Sequence, residues 1–335
     1  MEKLQKTLEK KKKHLLNLPN VVGVGVGYKQ VGGVTTTQPA IVVLVEKKVP
    51  SAQLLPNQMV PQAVDDVATD VIQVGKLRFL EQLAKPGPEL QKADPRRTAK
   101  VRPAQPGVSI AHYKATAGTF GAVVVDRRSR ELLILSNNHV LANSTNGRDR
   151  LAKKGDAILQ PGPYDGGSMA DAIATLERFV PIRAKKIRRF NALGTNRENL
   201  VDAAVGRPLS PDLISGAIMD IGLVTGIAEA SAGMSVRKSG RTTGLTEEKV
   251  LVVGATVNVS YGPDREATFA GQIVAGPMSA GGDSGSLVVD EGARAVGLLF
   301  AGSEESTVFS PIQAVLDMLK VDLWLVSQPL PASPG

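Results

Sequence analysis

A serine between two glycines is the strongest chemical signal in this sequence. Residues 281–286 read GGDSGS and precede an apolar run, so they predict a sharp turn that leads into a strand. In such a turn the Ser284 hydroxyl is exposed, and the backbone amides of Gly282 and Ser284 point at one spot that suits a developing oxyanion. The turn therefore favours acyl chemistry, with a plain glycine-rich loop as the competing interpretation.

A serine nucleophile needs a neighbouring base, because its hydroxyl is almost fully protonated at neutral pH. The chain has three histidines. His14 lies in a lysine-rich run and His112 in a predicted loop, whereas His139 directly follows a predicted strand. Asn137 and Asn138 favour a turn out of the sheet, which leaves the His139 imidazole at the strand end. His139 is therefore the candidate base.

The elements that must position these groups are short strands. Between residues 121 and 301, about a dozen apolar runs alternate with turn residues, a pattern that indicates an antiparallel sandwich or a pair of barrels. One of these runs covers residues 218–225, and two more cover residues 249–253 and 256–260. Near the end of the chain, apolar residues at helical spacing predict a helix over residues 312–325.

A small N-terminal α+β domain is predicted over residues 1–84. It begins with an amphipathic helix over residues 2–17, which either docks on the protein or mediates formation of a homo-oligomer. In residues 22–28 valines alternate with glycines, a strand pattern whose glycine face admits a close neighbour. A dinucleotide-binding fingerprint is excluded there, because Tyr28 stands in place of the third glycine and no helix follows.

Residues 85–106 are rich in proline and charge and are predicted to be a linker packed loosely over the surface. The second predicted domain covers residues 107–326, and a Pro-rich tail covers residues 327–335. Of the 335 residues, 42% are hydrophobic and 21% are charged, which suits two globular domains. This composition excludes fibrous, collagen-like and wholly disordered proteins.

The formal net charge is +8, and cations cluster at residues 10–13 and 183–189. Neither run interleaves its cations with stacking aromatic side chains, so we expect solvated surfaces and no specific nucleic-acid binding. The chain has no cysteine, which excludes disulfides and thiolate metal sites. Its start is charged and no later window is apolar enough to span a bilayer, so a cytoplasmic protein without a membrane anchor is expected.

Three motifs resemble those of the chymotrypsin-like (trypsin-like) serine peptidases, and they occur in the same order. The segment SNNHVLA, which contains His139, resembles the histidine block, and GDSG around Ser284 matches the nucleophile block. Residues 239–244, SGRTTG, resemble a turn of the bacterial streptogrisin and α-lytic branch. The resemblance covers residues 107–326 and implies a mainly β protein with a chymotrypsin-like double β-barrel. With its N-terminal region, the chain also resembles a bacterial cytosolic group related to the plant narrow-leaf protein, for which self-association is expected.

The resemblance implies an aspartate between the histidine and the serine, in the pattern D-x-A-[IV]. Asp202 begins the segment DAAV and fits this pattern. Asp171 begins DAIA and is the alternative, although isoleucine replaces the alanine and the spacing from His139 is short. A capping role at a strand turn is the interpretation of Asp202 without function. The implied triad is His139, Asp202 and Ser284, with an oxyanion hole at the Gly282 and Ser284 amides and no metal or other cofactor.

The substrate-binding residues are also implied by the resemblance. Met278 is expected on the wall of the specificity pocket, and Phe300, Ala301 and Gly302 are expected to form the strand that pairs with the substrate backbone. The implied pocket is apolar, which favours small or hydrophobic side chains before the scissile bond.

These features predict a serine endopeptidase that hydrolyses protein or peptide substrates through an acyl-enzyme intermediate. Two other functions stay open. One is a catalytically idle scaffold with a peptidase fold that binds peptides or partners, and the other is an ester hydrolase with the same triad. The presence of all three triad residue types together with the oxyanion glycines argues against the idle scaffold.

Overall fold

The protein is described by a computed structural model for residues 2–79, 94–186, 198–261 and 265–325. The fold is mainly β, with two curled sheets, and confirms the predicted chymotrypsin-like double β-barrel preceded by an N-terminal helix and strands. The described helices are α1 (Glu2–Leu16), α2 (Pro95–Thr98), α3 (Asn138–Leu141) and α4 (Ile312–Leu319). Within the described ranges, no helix is both long and apolar enough to cross a membrane.

The strands are listed here in chain order: β1 (Val21–Val31), β2 (Val34–Val45), β3 (Ala63–Val64), β4 (Val67–Gln73), β5 (Arg78–Phe79), β6 (Ser109–His112), β7 (Gly118–Thr119), β8 (Ala122–Asp126), β9 (Leu132–Ser136), β10 (Ala157–Leu159), β11 (Ala172–Phe179), β12 (Lys185–Lys186), β13 (Ala204–Pro208), β14 (Gly226–Ile227), β15 (Ser235–Gly240), β16 (Gly244–Ser260), β17 (Arg265–Ala275), β18 (Leu287–Asp290), β19 (Arg294–Gly302), β20 (Thr307–Pro311) and β21 (Val321–Leu323).

The smaller sheet carries the candidate base and has the strand order β21-β8-β9-β13-β11-β10-β6-β7. Strands β8 and β9 are continuous apolar runs because both of their faces are buried. Val123 and Ile134 pack inside the curled sheet, whereas Val124 and Leu133 pack towards the larger sheet and α4. The end of β9 is therefore held rigidly at the place where the His139 segment begins.

The larger sheet joins the N-terminal strands to those of the second barrel. Its main path is β12-β17-β20-β19-β18-β15-β16-β1-β2-β4-β3, so β1 pairs with both β2 and β16. The alternating glycines of β1 allow this close approach, because a Cβ built on Gly25 would lie 2.4 Å from Cγ1 of Val252. The predicted domain bounds stay a prediction, but the N-terminal strands share one sheet with β16.

Helix α1 packs its apolar side on this sheet rather than leaving it exposed. Leu8 and Leu15 are buried in a cluster with Val24 and Val43. The apolar side of the helix, for which the sequence predicts docking or self-association, thus packs against β1 and β2 of the same chain. Formation of a homo-oligomer through this region stays a prediction.

Three elements predicted near the second barrel differ from the structure. The helix predicted over residues 312–325 ends at Leu319, because Lys320 adopts a left-handed conformation (φ 56°) and the chain then enters β21, which pairs with β8. The strand predicted over residues 218–225 is a turn, in which Asp220 and Gly222 have φ of 62° and 98°. The runs at 249–253 and 256–260 form a single strand, β16, interrupted only by register shifts.

The described part of the predicted linker is anchored by a buried arginine. Arg97 is 2% exposed, and its guanidinium donates to Ser239 Oγ (2.9 Å) and to the Gly240 carbonyl (3.1 Å) and pairs with Asp220. These acceptors compensate the burial of the charge, which the proline-rich and charged composition does not predict. Residues 85–93 of the predicted linker, residues 187–189 of the cation run and the whole tail at 327–335 lie outside the described residues.

We predict that Asp126 makes the smaller sheet sensitive to acid. Its carboxylate accepts from the Arg128 and Ser129 amides (both 2.8 Å) and pairs with Arg178, and these bonds outweigh burial and lower its pKa to about 2. Because the folded pKa lies below the unfolded value, the stabilisation is present above about pH 4 and is lost as pH falls towards 2. Chemical denaturation of wild type and Asp126→Asn at pH 6 and pH 2.5 should show a difference in unfolding free energy that shrinks at the lower pH. An equal difference at both would contradict the prediction.

Candidate active site

His139 and Asp202 meet at the end of β9. His139 lies on the single turn of α3, and its Nδ1 is 2.6 Å from Oδ2 of Asp202. The other carboxylate oxygen, Oδ1, accepts from the amides of Asn138 (2.7 Å) and His139 (3.3 Å). Both side chains are buried, at 1% and 0% exposure. Because an ionised carboxylate only accepts, Nδ1 is the donor, and Nε2 faces away as the nitrogen that can take a proton.

The register of two strands explains why Asp202 arrives at this histidine. Strand β13 pairs with β9, with Ala204 opposite Ser136. The residues just before β13 therefore lie beside those just after β9. The side-chain amide of Asn137 fixes this neighbour by donating to the Asp202 carbonyl at 2.7 Å. The Asn-Asn pair thus ties the turn to the aspartate segment as well as turning the chain.

Asp171, the alternative from the sequence, lies elsewhere. Its carboxylate pairs with Lys100 (2.9 Å) and accepts from the Ser168 amide (2.9 Å) and hydroxyl (2.8 Å). The hydrogen bond from Lys100 is the main cause that holds the pKa of Asp171 well below its usual range. The structure therefore pairs His139 with Asp202 and gives Asp171 a local structural role.

Ser284 lies in a turn whose backbone only glycine adopts easily. Gly282 and Gly285 have φ of 98° and 94°. The amides of Asp283 and Gly285 donate to the carbonyls of Ala280 (3.0 Å) and Leu299 (2.8 Å). Within the described chain, the amides of Gly282 and Ser284 have no such acceptor. These two donors are thus available in a turn that is already fixed.

The nucleophile turn lies against the sheet that carries His139. The Thr119 amide donates to the Ser284 carbonyl at 2.7 Å, and the Ser136 hydroxyl donates to the Thr119 carbonyl at 2.8 Å. A Cβ built on Gly285 would lie 2.0 Å from Oγ of Ser136, three residues before His139. The glycine after the serine therefore lets the two halves of the site approach.

Ser284 is 1% exposed, and its hydroxyl makes no hydrogen bond within the described chain. The bond to His139 Nε2 that attack requires is therefore not formed in this conformation. Catalytic hydrogen bonds are often long in enzymes without substrate and tighten when substrate binds.

The 239–244 motif holds the carboxylate of Asp283, the residue before the serine. Oδ1 of Asp283 accepts from the amides of Thr242 (2.8 Å) and Thr243 (3.1 Å), and Oδ2 accepts from the Thr243 hydroxyl (2.7 Å). Lys238 Nζ lies 3.3 Å from Oδ2, and both side chains are fully buried. Burial lowers the pKa of Lys238. The sequence does not single out Lys238, because it lies next to Arg237 in the largely polar strand SVRKSG, where a lysine looks like a surface residue.

A second ion pair connects the same motif to the smaller barrel. Arg241 pairs with Asp165, and both are nearly buried. The Arg241 amide donates to the Thr119 hydroxyl (3.0 Å), which in turn donates to the Gly282 carbonyl (2.9 Å). The peptide unit before Asp283 is thus oriented by residues of both barrels.

The residues predicted to bind substrate are largely buried. Met278 is 3% exposed, its amide donates to the Thr307 hydroxyl (3.0 Å), and its side chain belongs to a core cluster. The Phe300 ring packs on Phe269 with centroids 4.7 Å apart. Ala301 and Gly302 belong to β19.

Phe79 is another residue at the site that the sequence did not indicate. Its ring centroid lies 5.0 Å from that of His139 and 4.9 Å from that of Tyr261. It belongs to β5, a strand of only two residues, which has no periodic pattern for a sequence to reveal.

Comparisons with known proteins give one family match and several distant structural ones. Residues 7–74 match the family model described as NARROW LEAF 1 N-terminal domain. The search of curated proteins gives no significant match. Among solved structures, Thermobifida fusca Protease A is similar at 19% identity and a TM-score of 0.46, over 66% of this chain and 100% of that one.

Two further structures are similar to the same extent. Nocardiopsis protease (NAPase) has 17% identity and a TM-score of 0.44, over 66% of this chain and 99% of that one. Cellulomonas bogoriensis chymotrypsin has 15% identity and a TM-score of 0.43, over 67% of this chain and 100% of that one. The chain is thus similar to the NARROW LEAF 1 N-terminal domain over residues 7–74, and about two thirds of it is distantly similar in fold to these protease structures.

Proposed function

We propose that this protein is a serine endopeptidase with Ser284 as nucleophile, His139 as general base and Asp202 as the residue that orients the base. The observation that supports this most is the 2.6 Å contact between His139 Nδ1 and a fully buried Asp202. A carboxylate there fixes the tautomer with Nε2 as acceptor and stabilises the imidazolium that forms during attack.

The chemistry follows from these positions. His139 Nε2 takes the Ser284 proton as Oγ bonds to the peptide carbonyl carbon, and the imidazolium then gives that proton to the leaving amine. Water then attacks the acyl-enzyme. His139 Nε2 takes a proton from that water and gives it to Ser284 Oγ as the acid product leaves. The Gly282 and Ser284 amides would stabilise the oxyanion, a contribution of about 3 kcal/mol for one donor.

We propose that a peptide binds here by pairing its extended backbone with strand β19, at the edge that β5 covers in this structure. Phe300, Ala301 and Gly302 follow the nucleophile strand β18 in the same sheet, and apolar side chains surround them. Backbone pairing gives affinity for an extended chain that a small ester does not use. We further propose that the enzyme works in the cytoplasm, since a chain with no cysteine needs no oxidising compartment.

The test is covalent labelling with a fluorophosphonate probe, which reacts with an activated serine. We expect wild type to be labelled and Ser284→Ala and His139→Ala to lose the label, because the first lacks the nucleophile and the second its base. Intact-mass and peptide mapping should place the adduct on Ser284.

Ser286→Ala is the matched control. Its hydroxyl is two residues away and already donates to the Asp283 carbonyl at 2.6 Å, so this variant should keep the label. A labelled Ser284→Ala protein would show that another serine reacts. A wild type that folds but neither labels nor cleaves peptides would favour the idle scaffold.

A further inference from the structure

Both edges of strand β19 are paired with other strands of the same chain. On one side, β19 pairs with β20 along residues 297–302. On the other side it pairs with β18 up to Leu298, and beyond that with β5, which sets Phe79 opposite Ala301 and Arg78 opposite Gly302. The pairing with β5 is antiparallel. An extended peptide can add to β19 at Ala301 and Gly302 only where β5 now lies.

Backbone and hydroxyl contacts hold the segment of residues 77–79 in the space between β16 and β19, which we call the groove. The Ser260 amide donates to the Leu77 carbonyl at 2.9 Å, so the segment lies between β16 and β19. Just before it, the Val74 carbonyl accepts from the hydroxyl of Ser306 (2.9 Å) and from that of Ser303 (2.5 Å). Leu77 and Phe79 are 1% and 2% exposed. The segment therefore fills the groove with both backbone and side chains, as a bound peptide would.

The Phe79 side chain also covers the candidate base. Its ring is tilted by 55° against the His139 imidazole, with centroids 5.0 Å apart. Tyr261, Phe269 and Phe300 complete an aromatic surround, with centroids 4.9 to 6.1 Å from that of Phe79. An aromatic side chain in an extended backbone thus has a fitted place beside the imidazole.

We propose that residues 77–79 act as an internal peptide ligand that competes with substrate for the edge of β19. This inference rests on the proposed function. It also names the class of substrate: an extended peptide that carries a large apolar or aromatic side chain beside His139. Substrate turnover then requires displacement of residues 77–79. The smaller the fraction of molecules in which the groove is open, the lower the apparent affinity for peptide.

Displacement of β5 leaves the longer strand pairings of the second barrel in place. Strand β5 contributes only two residues, whereas β19 and β20 pair along residues 297–302 and β16 pairs with β17 along residues 250–260 without it. Gly75 has φ of 67°, so the chain turns sharply between β4 and the segment. Displacement therefore breaks the two-residue pairing of β5 and the packing of Leu77 and Phe79 in their apolar cluster, which an apolar side chain of the incoming peptide replaces in part.

A reversible disulfide gives the closing experiment. Because the natural chain has no cysteine, the double variant Phe79→Cys/Ala301→Cys has one cysteine pair, at positions directly opposite in an antiparallel ladder and within reach of a disulfide. Hydrolysis of a fluorogenic peptide library and fluorophosphonate labelling are measured on the oxidised and the reduced form of this variant. Wild type with and without reductant and the single variant Phe79→Cys serve as controls.

We expect peptide turnover to be roughly tenfold or more lower in the oxidised form, with recovery on reduction. Equal turnover in the two forms, with the bridge verified by mass, would overturn the inference while labelling of Ser284 leaves the proposed function standing. Absence of labelling in wild type and all variants would instead defeat the proposed function itself.

A second variant covers the case in which the cysteines do not pair. Phe79→Ala weakens the segment without introducing a bridge and should raise kcat/KM for peptides above that of wild type, mainly through a lower KM. A folded Phe79→Ala protein with unchanged or lower kcat/KM would overturn the inference.

Discussion

Asp202→Asn is expected to lower kcat for peptide hydrolysis by about 10⁴-fold with little change in KM. Asparagine can keep the bonds from the Asn138 and His139 amides through its carbonyl oxygen. Its amide group, however, favours the His139 tautomer with the proton on Nε2, which cannot accept the Ser284 proton. The geometry would stay intact while the base is lost, so the melting temperature should change much less than the rate.

Asp171→Asn is the matched control, since the sequence alone does not exclude Asp171 from the triad. Its carboxylate pairs with Lys100 and accepts a hydrogen bond from Ser168. Because it does not contact His139, we expect kcat to change by less than about twofold. Steady-state kinetics on both variants decide the assignment. A large loss of kcat in Asp171→Asn together with an active Asp202→Asn enzyme would reverse it.

Lys238→Met is expected to cost about 3–5 kcal/mol of unfolding free energy, because it leaves the Asp283 carboxylate buried without its cation. Both side chains are 0% exposed. The Thr242 and Thr243 amides would still donate to Asp283, but its carboxylate would have lost the Lys238 ammonium group that pairs with it. Since Asp283 precedes Ser284, we also expect slower fluorophosphonate labelling. Urea denaturation gives the stability and the labelling time course gives the rate.

The double variant Lys238→Met/Asp283→Asn separates the lost charge from lost packing. It removes both charges, so it should recover part of the stability that the single variant loses. Lys249→Met, on the exposed part of β16, is the control and should change stability by less than about 0.5 kcal/mol. A Lys238→Met protein as stable as this control would show that the buried pair contributes nothing.

The sequence predicts most of the strands, His139 and Ser284 because these are local signals, whereas Asp202 is implied by the family resemblance. His139 and Ser284 each lie in a short motif, and Asp202 precedes a run whose pairing with β9 then brings it to the histidine. The apolar runs of β8 and β9 are visible for the same reason, since each is continuous within a few residues. These features need no knowledge of distant contacts.

The features that the sequence does not reveal depend on contacts between distant segments. Lys238 is recognisable only when its partner Asp283 is known, and Arg97 only when Ser239 and Asp220 are placed around it. Phe79 lies in a two-residue strand whose partners are more than 180 residues away in β16 and β19. Composition and periodicity describe a segment, and they do not say which other segment will pair with it.

The pairing of β1 with β16 sets a limit on how the protein is made. Val24 pairs with Thr256, so the ribosome must add roughly 230 residues before that bond can form, which takes about 10–50 s at ordinary translation rates. During that time the exposed edge of β1 on the nascent polypeptide invites wrong partners, including other copies emerging from the same messenger. The architecture therefore leaves one edge of β1 without its final partner through most of synthesis, until β16 closes it.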